Sequence, residues 1–353
     1  MAQVSSLEMV AVGDVMLGDS SYFIGRGVGS QIRKFGPDFP FAEVSGFIRP
    51  ADLFFANLES PLSRELGASS WERVYRGTAE AAEGLQLADK NVVSVANNHI
   101  LEHGQQMLTE THTILASYDI GCAGYGDFNA LSPAIWRSQV NGLTISLFAV
   151  SLIKEFSGIR IDPPAVLETL AKHLKQSTDD VKIVSVHWGN EYVTAPSAAQ
   201  IGFGRGLIDA GAALVLGHHP HVLQPIEEYG DGLIAYSLGN FVFDQDWGPL
   251  TRGGGMLKMT LAKDAVQQWE FVPTVTDSRC QPRLAAGRTA TTLQEIVRGE
   301  VGLSEQSYQD NLAKRTREYR VRMKMELARH FWRVTYDTVH FHLTKKNRPR
   351  PVL

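Results

Sequence analysis

Six short apolar runs, each ending in a polar or glycine-bearing turn, constrain this chain more than any other feature. They are Met9–Val12, Leu53–Phe55, Val92–Val95, Leu143–Val150, Val181–Val186 and Ala213–Leu216. Their unbroken, β-branched character suits strands covered on both faces. Helical patterns fall between them at Gln105–Tyr118, Pro163–Gln176 and Ser197–Ala210. In the second, Val166, Leu170 and Leu174 recur on one face behind Pro163-Pro164, a pair suited to a helix start. Gly211 suits a stop after the third. Alternating strands and helices predict a layered α/β body. From about Ile234 the pattern changes to hairpin-like strands, Leu233–Leu238, Met256–Leu261 and Gln268–Val272.

Composition adds exclusions. With 353 residues, 44% hydrophobic and 20% charged, the chain is neither fibrous nor disordered, and it is long enough to bury a sizeable core. Its net charge of −4 is unevenly spread. From Lys314 to Arg350, 12 Lys and Arg stand against 3 Asp and Glu, leaving 22 basic against 35 acidic residues elsewhere. An acidic body therefore carries a basic tail, and no nucleic-acid partner is expected. Residues 276–291 are polar and read as a linker. They separate a domain over 1–275 from a basic helical extension over 292–353. In that extension Met323, Leu327, Phe331 and Val334 share one face. Cys122 and Cys280 lack CxxC spacing, which excludes a cysteine-type zinc site; two idle thiols are expected. No secretory leader or membrane-spanning run is visible, so the expected location is cytoplasmic.

Residues able to bind metal cluster directly after the apolar runs. Asp14 follows the first, Asn57 and Glu59 the second, and Asn97, Asn98 and His99 the third. His187 follows Val181–Val186, and His218, His219 and His221 follow Ala213–Leu216. The carboxyl ends of strands in an open α/β sheet form its ligand crevice, so these groups are expected around one cavity. Each residue alone has a plainer explanation, as a cap, a turn residue or a hydrogen-bonded core histidine. Three imidazoles within four residues are costly to bury without partners. Carboxylate, amide and imidazole donors without thiolate suit one or two divalent ions of manganese, iron or zinc. No GxSxG elbow or Walker A motif competes, and the glycine-rich stretches at 25–29 and 202–206 lack the dinucleotide pattern.

These residues resemble a known family. Gly13-Asp14, Asn57-Leu58-Glu59, Ala96-Asn97-Asn98-His99, His187-Trp188-Gly189-Asn190-Glu191, Gly217-His218-His219-Pro220-His221 and Ser237-Leu238-Gly239-Asn240-Phe241-Val242-Phe243-Asp244 look like the motifs of the CapA family. That family of poly-γ-glutamate and capsule biosynthesis proteins is similar to the calcineurin-like metallophosphoesterases, and the resemblance spans about residues 8–246. It implies a metallophosphoesterase-like β-sandwich flanked by helices, here with the basic helical extension. It also implies metal ligation by Asp14, Glu59, Asn98, His187, His219 and His221, with His99 and His218 as catalytic groups facing substrate. Asn57, Trp188, Glu191 and Asn240 are expected near the substrate, Glu191 alternatively orienting a ligand histidine. Two positions depart from the pattern. Met16 stands where a ligand histidine is usual, and Glu102 where aspartate is usual.

The implied activity is metal-dependent hydrolysis, a metal-bound hydroxide attacking a phosphoryl or acyl centre in capsule or poly-γ-glutamate biosynthesis. The substrate would be an anionic polymer, a peptide or a phosphoester. Two other readings stand beside it. One is a single-metal acid/base enzyme acting on a peptide or amino acid. The other is a non-catalytic component of a capsule synthesis or export complex, its basic tail docked on an anionic membrane or on that machinery.

Overall fold

A computed structural model describes residues 5–67, 70–124, 134–153 and 162–329. Two sheets form the centre. The first has eight strands. Its order runs Pro282–Leu284, Ala265–Thr276, Gly253–Ala262, Ser6–Val15, Leu53–Leu58, Lys90–Ser94 and Ile120–Ala123, and Asn240–Val242 also pairs with Ser6–Val15. The second has six strands in the order Ile226–Tyr229, Gly232–Ala235, Leu214–His218, Val181–His187, Leu143–Ser151 and Trp136–Val140.

The sheets pack face to face. Met9, Ala11, Leu53, Phe55 and Val92 of the first share a buried cluster with Ile145, Ile183, Leu214, Leu216 and Leu233 of the second. Alternate residues on the same strands turn outward beneath helices. Val10, Val12, Phe54 and Val93 meet Ile32, Ile114 and Leu115 from helices Val28–Phe35 and Gln105–Ser117. Phe148, Val184, Val215 and Ile234 meet Val166, Leu170, Leu174, Phe203 and Leu207 from Pro163–Gln176 and Ala198–Asp209. Both faces of these strands are therefore dry, as their continuous apolar runs require. Ser197 caps the last of these helices through a capping box with Gln200, and Gly211, at φ 103°, follows its end.

The C-terminal third differs from the sequence reading. Gly253–Ala262 and Ala265–Thr276 form the expected hairpin. Over 233–238, however, the strand is confined to Gly232–Ala235, which lies parallel to Leu214–His218. Residues 276–291, read as a linker, carry secondary structure. They contain Pro282–Leu284, paired antiparallel with Thr274–Thr276, and the start of helix Gly287–Val297, whose Leu293 and Val297 enter the inter-sheet cluster. Pro282 in the strand and Leu293 and Val297 in the helix are the buried residues of these elements, too few to set an apolar period. A second helix spans Glu305–Arg329. Within the basic segment, Phe331 and Val334 lie outside the described residues, as does everything from 330 onward. Cys122 and Cys280 are free.

Truncating Leu293 to Ala is expected to cost about 2–5 kcal/mol in denaturant unfolding, the usual range for a buried leucine; no loss would mean that the helix is a loose appendage. A second expectation concerns Asp244, 3% exposed, whose Oδ2 accepts from the Ser20 N–H at 2.8 Å. Burial outweighs the Ser20 bond and, with Asp19 adding to it, pushes this carboxyl up to about 7. The folded chain keeps a proton that the unfolded chain releases near about pH 4. The carboxyl's stabilising contribution is thus complete below that pH and disappears as pH rises toward 7. Asp244→Asn should flatten that part of a Tm-against-pH curve.

Candidate metal centre

Asp14 sits near the end of the first strand, in register with Asn57 on one parallel neighbour and Asn240 on the other. The approach is close: a Cβ on Gly13 would lie 1.9 Å from the Gly239 carbonyl oxygen, so only glycine fits. The Asp14 N–H donates to that same carbonyl at 2.9 Å. In the second sheet His187 and His218 end adjacent parallel strands in register with each other. The carboxyl ends of both sheets thus meet at one edge, where topology predicts a ligand crevice.

The side chains form one buried network. Asn57 Nδ2 donates to Asp14 Oδ1 at 2.8 Å, and His218 Nδ1 lies 3.1 Å from the same oxygen. His221 Nδ1 lies 3.3 Å from Asp14 Oδ2 and 2.9 Å from Asn240 Oδ1. On the other side His187 Nε2 lies 2.7 Å from Asn98 Oδ1 and 3.3 Å from Glu59 Oε1. Burial opposes ionisation of Asp14, but the hydrogen bonds to His218 and His221 outweigh it and hold the carboxyl well below its usual range. Burial, and then the charge on Asp14, push Glu59 well above its usual range. Burial also drives His187 well down, with His219 adding to it, and lowers His219 to about 4. His221 goes the other way. Burial lowers it, but the neighbouring Glu59 and Asp14 prevail and raise it to about 10.

Several buried atoms here have no hydrogen-bond partner: both Glu59 carboxylate oxygens, His218 Nε2 and His219 Nδ1. Each such orphan costs about 1–3 kcal/mol unless something satisfies it. Among the described residues, three sets of donor atoms gather within 4.8 Å: Glu59 with His187 and His219, Asp14 with Glu59 and His221, and Glu191 with His219 and His221. The backbone is strained at the same place. Tyr192, His219 and His221 take φ of 68°, 97° and 56°, a left-handed region that disfavours side chains of this size.

The structure brings Asp14, Glu59, Asn98, His187, His219 and His221 together, as expected from their positions after the strands. His99 stands at the rim, half-buried, its Nδ1 3.5 Å from Glu102 Oε2 and its ring 4.2 Å from that of Tyr75. The four residues expected near the substrate lie in different surroundings. Asn57 and Asn240 are buried and direct their amide groups to Asp14 and His221. Trp188 points into the helix-covered core, with its Nε1 donating to the Tyr236 carbonyl at 2.9 Å and its ring stacked on Tyr236. Its large apolar surface favours that dry layer. Glu191 remains exposed at the opening. Asn97, one of the metal-competent residues after the third apolar run, bonds backbone instead: it donates to Leu58 and accepts from the His99 and Ile100 amides. The repeated Asn was its signal, since this side chain readily bonds nearby backbone. Met16 is fully buried and offers only a thioether.

Comparison with known proteins identifies relatives in sequence and in fold. The chain is 31% identical over 273 residues to the PGA biosynthesis protein CapA of Bacillus subtilis, covering 74% of this chain and 70% of that protein. It is 28% identical over 284 residues to the capsule biosynthesis protein CapA of Bacillus anthracis, covering 76% and 67%. In fold it is similar to a crystal structure described as a novel phosphatase of Mycoplasma pneumoniae, with a TM-score of 0.51, 14% identity, and coverage of 77% of this chain and 95% of that one. The model of the bacterial capsule synthesis protein family PGA_cap matches residues 8–245, a stretch that contains every residue of the network above, and the chain belongs to that family.

Proposed function

We propose that this protein is a metal-dependent hydrolase of capsule or poly-γ-glutamate biosynthesis, acting on a phosphoryl or acyl centre. The observation that carries the reading is the set of buried, unpartnered oxygen and nitrogen atoms on Glu59, His218 and His219, amid three converging donor groups. Glu59, His187 and His219, with Asn98, would hold one divalent ion of manganese, iron or zinc; Asp14, Glu59 and His221 would hold a second. Lowered His187 and His219 present neutral imidazoles, the form that ligates. A divalent ion bound there supplies Lewis acidity and a source of nucleophilic water at neutral pH.

The protein's own groups do the rest. His218 Nδ1 and Asn57 orient Asp14, and Asn240 orients His221. His99, beside Glu102 and Tyr75, would protonate a leaving group. The names of the relatives support an anionic polymer, or a precursor of one, as the substrate context. The acidic body disfavours long-range attraction of such a polymer, so recognition would be local. Among the described residues no helix is long and apolar enough to cross a membrane. Peripheral contact with a membrane or with capsule machinery through the basic tail is part of this proposal.

Met16 favours a second reading. Without an imidazole there, one ion at the Glu59, His187 and His219 position could serve acid/base chemistry on a peptide or amino acid. Elemental analysis of purified protein separates the two: two ions per chain support the first reading, and one ion without phosphodiesterase activity supports the second. Glu59→Gln should weaken Mn²⁺ binding by at least roughly 10- to 100-fold, the loss that outer-shell changes alone produce. Protein that takes up neither Mn²⁺ nor Zn²⁺ would sink both readings. His99→Gln should retain bound metal but lower turnover of a generic phosphodiester roughly 10²- to 10⁴-fold.

A further inference from the structure

The helix Glu305–Arg329 lies beyond the part of the chain that matches the family, yet it touches the metal centre's rim. Among its described side chains Tyr308 and Tyr319 are the fully buried ones, at 5% and 6% exposure. Eleven positions separate them, about three helical turns, so they project from one face. Both meet the loop after His187. Asn190 Nδ2 donates to the Tyr308 hydroxyl at 2.8 Å, and the Tyr192 ring stacks on Tyr319 with centroids 4.2 Å apart and planes 26° from parallel. The residue between these two anchored positions is Glu191, whose carboxylate gathers with His219 and His221.

Glu191 shares a side-chain hydrogen bond with Tyr192, the residue whose ring the helix holds. It is exposed, and its neighbour Tyr192 holds a left-handed φ of 68°, a conformation that relaxes unless its surroundings enforce it. The Tyr192 N–H donates to the Pro220 carbonyl at 2.7 Å, which ties the loop to the histidine turn. The tyrosine stack holds its other side. Lower on the helix, Arg322 reaches the Trp247 carbonyl at 3.5 Å, and the Trp247 ring meets Tyr22 edge-on at 5.1 Å. The helix thus braces the rim at several points.

We propose that this helix is a working part of the centre: Tyr308 and Tyr319 are positioning residues that hold Glu191 against His219 and His221. Glu191 then supplies a carboxylate donor in a site where Met16 provides none. The proposal rests on the reading of this pocket as a metal centre, and its test separates the two. In the full-length protein, Tyr319→Ala should raise the Kd for Mn²⁺ roughly 2- to 12-fold, the factor that a lost aromatic contact represents. It should also speed hydrogen exchange at the amides of residues 190–193. Tyr319→Phe keeps the stack and should preserve both properties. Asn190→Ala removes the Tyr308 bond without altering the helix and should raise the Kd in the same direction. In a Glu191→Gln background, Tyr319→Ala should bring no further loss of Mn²⁺ affinity. Additive losses in that double variant, or unchanged exchange in Tyr319→Ala, would overturn the positioning role. Wild-type protein that binds no Mn²⁺ would overturn the metal reading itself, and this proposal with it.

Discussion

A buried carboxylate at the seam of two sheets organises this protein. Asp14 is completely shielded from solvent, and it stays ionised because His218 and His221 from the second sheet supply the hydrogen bonds and charge that burial removes. Losing either partner would strand a charge in the interior, which typically costs about 3–5 kcal/mol. The arrangement demands much of the backbone. Gly13 must lack a Cβ so that the first strand can lie against the turn at Gly239, and that contact brings Asn240 and His221 within reach. Folding of the sandwich and assembly of the site are therefore one event.

The rest of the centre is incomplete as a hydrogen-bonding system, which is why a metal-binding reading explains it economically. Glu59 is fully buried with neither oxygen hydrogen-bonded, and the nearest groups are ligand-competent imidazoles and a carboxylate. Left-handed backbone at His219 and His221 aims two rings inward from a turn of four residues. Strain and orphaned polar groups that coincide in one buried place are more readily explained by function than by stability. The stretch that matches the family contains all of these residues.

Much of the body is legible in residue order. Val184 and Val215 sit in strands covered on both sides, and an unbroken apolar run is the direct signature of that. The Gly211 stop is equally plain, because it depends on local chemistry. Helix Gly287–Val297 leaves no such trace. It buries Leu293 and Val297 alone among its eleven residues, too few to set a period. The amides are ambiguous for a related reason. An asparagine beside a strand end looks the same in sequence whether it faces open solvent or, like Asn57 and Asn240, hydrogen-bonds a buried carboxylate or imidazole. Trp188 is similar, since its direction depends on which face of the strand end is covered by helices.

Residue type and spacing are enough for the layered α/β class, the donors placed after successive strands, the departure at Met16 and the split between acidic body and basic tail. Period and composition carry each of these directly. Folding in three dimensions was needed to show that Asp14 is gripped by His218 and His221, and that Asn57 and Asn240 bond Asp14 and His221. The same holds for the helix beyond residue 304 that reaches back to the loop carrying Glu191. Those contacts join residues more than one hundred positions apart in several cases, and no local pattern records which distant surfaces will meet when hydrophobic burial closes the sandwich.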